Sequence, residues 1–273
     1  MTVPVMVHGR VVCVFSLALL CVSVSATAAE AAGPVEAAKP ALKEINTAHA
    51  MAGEAVKRTT EFIELLKRAN GTILEALKLS QNTLKTAESS VKNPPARKEL
   101  DAATEGTFKA ESQKAATKAK KAAEEVANAV QYVYTAHVVA QWAKGNATKA
   151  AGLVKIAALT SANEAVAAAA MNAAETALLA TSNGQDVRRW MNASSRMAGW
   201  AEDRPDKSKG ILAKKAVDIS NSAVKFVQNA LAISDEALQN ADVTLDAAKK
   251  AELLAQAVKK EAEGNATEAQ KLR

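Results

Sequence analysis

Apolar residues recur at alternating steps of four and three between Leu42 and Lys92, through Ile45, His49, Ala52, Val56, Thr59, Ile63, Leu66, Asn70, Ile73, Leu77, Ser80, Leu84, Ala87 and Val91. A 3.5-residue spacing held over about six heptads keeps one stripe of a helix against a partner and winds the pair into a left-handed supercoil. The alternation predicts a second helix from near Ala96 to Lys144, with its seam at Ala116, Ala119, Ala123, Val126, Val130, Val133, His137 and Ala140. It returns from Ala147 to Ser182 at Gly152, Ile156, Leu159, Asn163, Val166, Ala170, Ala173, Ala177 and Ala180. A last helix is predicted over Ile211 to Glu263, where Val217, Val224, Leu231, Leu238 and Leu245 fall at sevens with Val227, Ala241 and Ala248 as companions.

Breaks divide these blocks. Asn93-Pro94-Pro95 stops the first helix, because proline has no amide proton and forces the residue before it out of the helical region. Gly145-Asn146 and Gly264-Asn265 mark two further ends, and the pattern leaves open whether residues 97–182 form one kinked helix or two. Residues 183–210 interrupt the period with Asn183-Gly184, Gly199, Arg204-Pro205 and Gly210, and read as an irregular head. Short connections make successive helices antiparallel neighbours. The expected fold is all-α: an elongated antiparallel coiled-coil bundle of three to four long helices with a small irregular head.

The apolar run Val11 to Val24 has another meaning. Preceded by Arg10 and closed by Ala26-Thr27-Ala28, it has the order of a signal peptide, with cleavage after Ala28. Residues 29–273 are then the single mature domain. Cys13 and Cys21 depart with the leader, so no disulfide framework is expected, and stability must come from long packed helices.

Composition agrees: alanine supplies roughly a quarter of the residues and aromatics only 3%, a profile of long helices rather than sheets. Seams so rich in alanine bury little area per layer, and length must compensate. Thirty-five Lys and Arg stand against twenty-nine Asp and Glu, a net charge of +6. The basic stretch Lys114 to Lys121 lacks interleaved aromatics and runs into Glu124 and Glu125, which describes a solvated helix face; no nucleic-acid partner is expected.

Candidate chemistry is sparse. His49 and His137 fall on the seams of adjacent helices, as a pH-responsive or metal-binding pair or as two separate core histidines. No metal and no cofactor is expected. Four sequons begin at Asn70, Asn146, Asn192 and Asn265; the last three lie at predicted breaks and are the candidate glycosylation sites, whereas Asn70 sits on a seam and is the least favourable acceptor. Trp190 and Trp200, with Arg188 and Arg189 beside them, are the candidate partner contact at one tip, or else a cap on the bundle end. Cysteine nucleophile, phosphate loop, paired-histidine zinc motif and nucleophile elbow are all missing from the mature sequence, so no enzyme is expected.

A signal peptide, long cysteine-free alanine-rich helices with interspersed Lys and Glu, scattered sequons and a broken distal segment together resemble the alanine-rich and glutamate/alanine-rich surface glycoproteins of African trypanosomes. These are relatives of the variant surface glycoproteins and of the haptoglobin-haemoglobin receptor. The resemblance spans the mature chain in architecture, with Leu42 to Lys92, Ala96 to Lys144 and Ile211 to Glu263 as long helices. It implies a glycosylated helical rod held at the cell surface by a glycosylphosphatidylinositol anchor, forming a coat or binding a host or vector protein. The sequence ends at Gln270-Lys271-Leu272-Arg273 without an apolar tail, so that a lipid anchor on the membrane is not visible in it. The expected function is a secreted or cell-surface structural coat glycoprotein. The alternatives are a receptor or adhesin acting through the 183–210 tip, or a secreted assembly protein that self-associates; oligomeric state is left open.

Overall fold

Along every long helix the inward stripe is made mostly of alanine, serine and threonine, and this sets how closely the helices approach. The computed structural model describes residues 34–89, 102–204 and 206–273. The leader read over 1–28, Val91, Asn93-Pro94-Pro95, Ala96 and Pro205 lie outside the described residues. Four long helices follow one another, α1 (Pro34–Ser89), α2 (Ala102–Leu153), α3 (Ala157–Glu202) and α4 (Asp206–Ala262), and then a short α5 (Ala266–Lys271); no strand occurs among the described residues. At 1.5 Å per residue the long helices run about 70 to 85 Å. The all-α antiparallel bundle is therefore observed, with four long helices.

Cross-helix pairs give the topology. Glu44 meets Lys149 while Thr86 meets Glu111, so α1 and α2 run in opposite directions. His137 with Ala174 and Gln113 with Glu202 do the same for α2 and α3, and Thr176 with Asn240 and Ser194 with Ser220 for α3 and α4. His49 with Glu252, and Gly210 over Ala87, close the ring between α4 and α1. Each helix packs on two neighbours, up-down-up-down around a shared core.

Burial locates that core. In α1 the buried series is Ala41, Ile45, Ala48, Ala52, Ala55, Thr59, Phe62, Leu66, Ala69, Ile73, Ala76, Ser80, Thr83 and Ala87, an unbroken four–three alternation. One expected track, Ile45 to Ala87 by sevens, holds. The other lies one residue earlier than expected, at Ala48, Ala55, Phe62, Ala69, Ala76 and Thr83; of the expected positions Ile63 is buried as well, while His49, Val56, Asn70, Leu77 and Leu84 are half-buried on the flank. The same offset appears in α2, where Ala115, Ala122, Ala129 and Ala136 form the inner track, and in α4, where Ala216, Ala223, Ala230 and Ala237 do. Helices that approach closely leave room at the axis for a methyl group and push larger side chains into the grooves between neighbours.

Three hydrogen bonds show that approach directly. Ser195 Oγ donates to the Ala116 carbonyl at 2.9 Å, Ser194 Oγ to the Ala216 carbonyl at 3.3 Å, and His137 Nδ1 reaches the Ala174 carbonyl at 2.8 Å. A one-carbon side chain thus spans from one helix to its neighbour's backbone. At one layer a glycine makes room for large side chains: a Cβ on Gly184 would stand 2.5 Å from Val130 Cγ2 and 3.8 Å from Phe62 Cζ.

The irregular head expected over residues 183–210 is not found. α3 continues to Glu202, and its seam passes through Gly184, Val187, Met191, Ser194, Ala198 and Ala201 without losing period. Gly184 is a packing requirement of the core, and continued burial of the seam outweighs the roughly 1 kcal/mol that a glycine costs within a helix. Gly145-Asn146 likewise does not end α2, because Ala143, Ala147 and Ala150 stay on the axis. The real break is Val154–Ile156, so residues 102–202 form two helices. Ile156 is extended at φ −99° and ψ 111°, and its carbonyl accepts from the Leu159 and Thr160 amides at 3.0 and 2.9 Å.

Gly264-Asn265 does end α4 as expected. Gly264 adopts φ 78°, its amide donates to the Glu261 carbonyl, and the Asn265 amide donates to that of Lys260, a left-handed glycine C-cap. Asn265 Oδ1 then accepts from the Glu268 amide and caps α5, which buries Ala269 and is held by Arg273 to Glu261 and Lys260 to Glu268.

Candidate functional site

With seams turned inward, any site must be built from groove and surface residues. Lettering the buried positions a and d, the helices meet through e positions at α4–α1 (His49, Glu252) and α2–α3 (His137, Ala174). They meet through g positions at α1–α2 (Arg58, Tyr132) and α3–α4 (Trp190, Phe226). The two histidines therefore lie in different grooves on opposite sides of the bundle and do not form a pair. His49 Nδ1 sits 2.5 Å from Glu252 Oε2, and Gln256 Nε2 donates to the other oxygen of that carboxylate. Among the described residues no group of three His, Cys, Asp or Glu is arranged to hold a metal.

Exposed aromatics fall on separate faces rather than at one tip. Trp190 lies in the α3–α4 groove with its ring 6.0 Å from Phe226, and Trp200, half exposed, follows on α3 near its end. Trp142 and Tyr134 are exposed on α2, far along the bundle from Trp200. Arg188 and Arg189 are both exposed; Arg189 bonds Asp186 at 3.0 Å.

The sequons divide by geometry. Asn70 is half-buried in α1 with Oδ1 enclosed and without a hydrogen-bond partner. Asn146 is within α2, not at a break, and donates to the Trp142 carbonyl at 2.8 Å. Asn192 is exposed but helical. Asn265 alone of the four stands at a helix boundary, exposed.

Charged side chains pair both along single helices and between neighbours. Arg58 bonds Glu54 at 2.6 Å and Glu61 at 3.1 Å and lies over the Tyr132 ring, and the Glu54 contact leads in raising its pKa. Lys118 bonds Glu75 and holds that carboxyl below its usual range. Lys209 is buried at the start of α4, paired with Glu105 at 3.1 Å and 5.5 Å from the Phe108 ring centre. Lys209 falls seven residues before Ala216 on the α4 inner track, so its burial follows the seam, and Glu105 meets it across the α2–α4 diagonal.

One arrangement escaped sequence reading. Residues 157–187 of α3 and 226–248 of α4 contain no Lys or Arg, and the antiparallel pairing sets these two stretches side by side. Each is visible in the sequence, but their adjacency is a tertiary fact. Among the described residues no helix is long and apolar enough to cross a membrane. Compared with models of protein families, with curated proteins and with solved structures, the chain has no significant match.

Proposed function

We propose that the chain is a structural surface glycoprotein of the coat type, secreted or held at a cell surface, that presents a helical rod and carries out no catalysis. The observation that carries this reading is that four long helices spend their seams on one another over about 70 to 85 Å, leaving solvated helix faces outside. Several carboxylates, among them Glu44, Glu54, Glu75 and Glu261, are engaged with Lys or Arg on those faces. An exposed sequon at Asn265, on the turn between α4 and α5, adds an acceptor where the backbone leaves the helix. Lipid anchorage belongs to the reading through the resemblance to trypanosome surface glycoproteins. The receptor alternative drew on an irregular tip; because residues 183–202 are helical, it now rests on the side chains of Trp190, Trp200, Arg188 and Arg189.

Expression of the chain in a secreting eukaryotic cell tests the proposal. The expected product begins at Ala29, carries glycan at Asn265 and none at Asn70, and is reached by impermeant surface label or found in the medium. A product kept in the cytosol with its first residues intact and no glycan overturns it.

A further inference from the structure

The α3–α4 face separates charge along its length. In its half nearer the α4 C-terminus the outward positions hold the exposed carboxylates Glu175, Glu236 and Asp246, within the two stretches free of Lys and Arg, with Lys250 beyond them. Its other half carries Arg189, Arg196, Lys215 and Lys225, all exposed, against Asp186 and Asp218. Between the two lies an apolar strip: Leu179, 55% exposed, Trp190, 36% exposed, and the half-buried Phe226 and Ile233. Thr176 with Asn240 and Trp190 with Phe226 fix the heights of α4 residues against α3. On that scale Lys225 stands level with Trp190, Glu236 with Leu179, and the strip lies midway between the basic and acidic halves.

We propose that this face docks a second copy of the chain, antiparallel, about a two-fold axis crossing the bundle near Gly184. Such an axis lays strip on strip and turns each basic half onto the other's acidic half. Lys225 then comes opposite Glu236 of the second copy, Lys215 opposite Asp246, and Arg196 opposite Glu175. A parallel pairing sets carboxylate against carboxylate over half the face and is disfavoured by like charge. An isologous contact of this kind needs no other molecule, since the surface complements itself. The proposal does not rest on the coat reading: it sends the two chain ends in opposite directions, as suits molecules free in fluid or on facing surfaces.

Sedimentation velocity of the purified chain over a concentration series is the test, with circular dichroism melts confirming that exposed-site variants stay folded. A concentration-dependent dimer is expected, weakened as salt rises from about 50 to about 500 mM. Arg196→Glu with Lys215→Glu raises its dissociation constant about tenfold or more, and adding Glu175→Arg with Asp246→Arg restores it. Leu179→Glu abolishes the dimer. Energy transfer between dyes at the two C-termini is low in an antiparallel dimer. A constant monomer mass, a dimer indifferent to these charge reversals, or strong transfer between the ends overturns the proposal.

Discussion

At the level of single residues, the bundle is governed by how much side chain the axis admits. Gly184→Ala replaces a poor helix former with the best one, a gain of about 1 kcal/mol, yet puts a methyl 2.5 Å from the stiff Val130 side chain. Overpacking of this kind costs about 1 to 3 kcal/mol. We therefore expect a net loss of about 1 kcal/mol in urea unfolding, recovered when Val130→Ala is added. Ser80 and Ser112 pose the opposite case. Their hydroxyls are enclosed without a hydrogen-bond partner, unlike Thr59 and Thr181, which donate to carbonyls four residues back at 2.9 Å. Ser80→Ala and Ser112→Ala should each raise stability by about 0.5 to 1 kcal/mol, because an unmet buried hydroxyl is removed and helix propensity improves. A lower urea midpoint for either would contradict this.

At the level of elements, what ends a helix here is loss of a buried seam or a positive φ, and seldom a glycine in the sequence. Gly145, Gly152 and Gly199 lie within helices, whereas Gly264, at φ 78°, terminates one. The α4–α5 turn is further held by Lys260, whose pKa is raised above 10.5 chiefly by Glu263 and then by Glu268. A raised lysine pKa stabilises the fold fully below the unfolded value, and the contribution disappears as pH climbs through the folded one. Lys260→Gln should accordingly melt below the parent chain at neutral pH, and the two should converge above pH 10.5. Glu75 works on the other limb. Lys118 depresses its pKa below 4.5, so Glu75→Gln should differ from the parent above that range and converge with it as acid protonates the carboxyl.

For the whole molecule, stability is spread unevenly along the axis. The largest buried cluster holds Phe62, Leu66, Ile73, Val126, Val133, Val187, Met191 and Val227, near the middle of all four helices. Between that cluster and the Phe108 layer beside the α3–α4 connection, the layers shrink to Ala115, Ala198 and Ala216, next to the unsatisfied serines. Apolar area buried per layer falls accordingly. Native-state hydrogen exchange should be slowest at Leu66, Val126, Val187 and Val227 and faster at Ser80, Ser112 and Ala213. Uniform protection along the helices would refute this gradient.

Heptad spacing by itself determined that the chain is helical, about where α1 and α4 run, that seams are buried, and that Gly264 closes α4, because these follow from local geometry and a 3.5-residue repeat. Tertiary structure decided the rest. Which of two adjacent residues faces the axis depends on how near the neighbouring helices come, so Ala48 and Ala69 displaced His49 and Asn70. Whether Asn183-Gly184 breaks a helix depends on Phe62 and Val130 lying opposite. The split at Val154–Ile156, the separation of the two histidines and the charged α3–α4 face arise only when antiparallel helices set distant residues at one height, a relation that no local pattern contains.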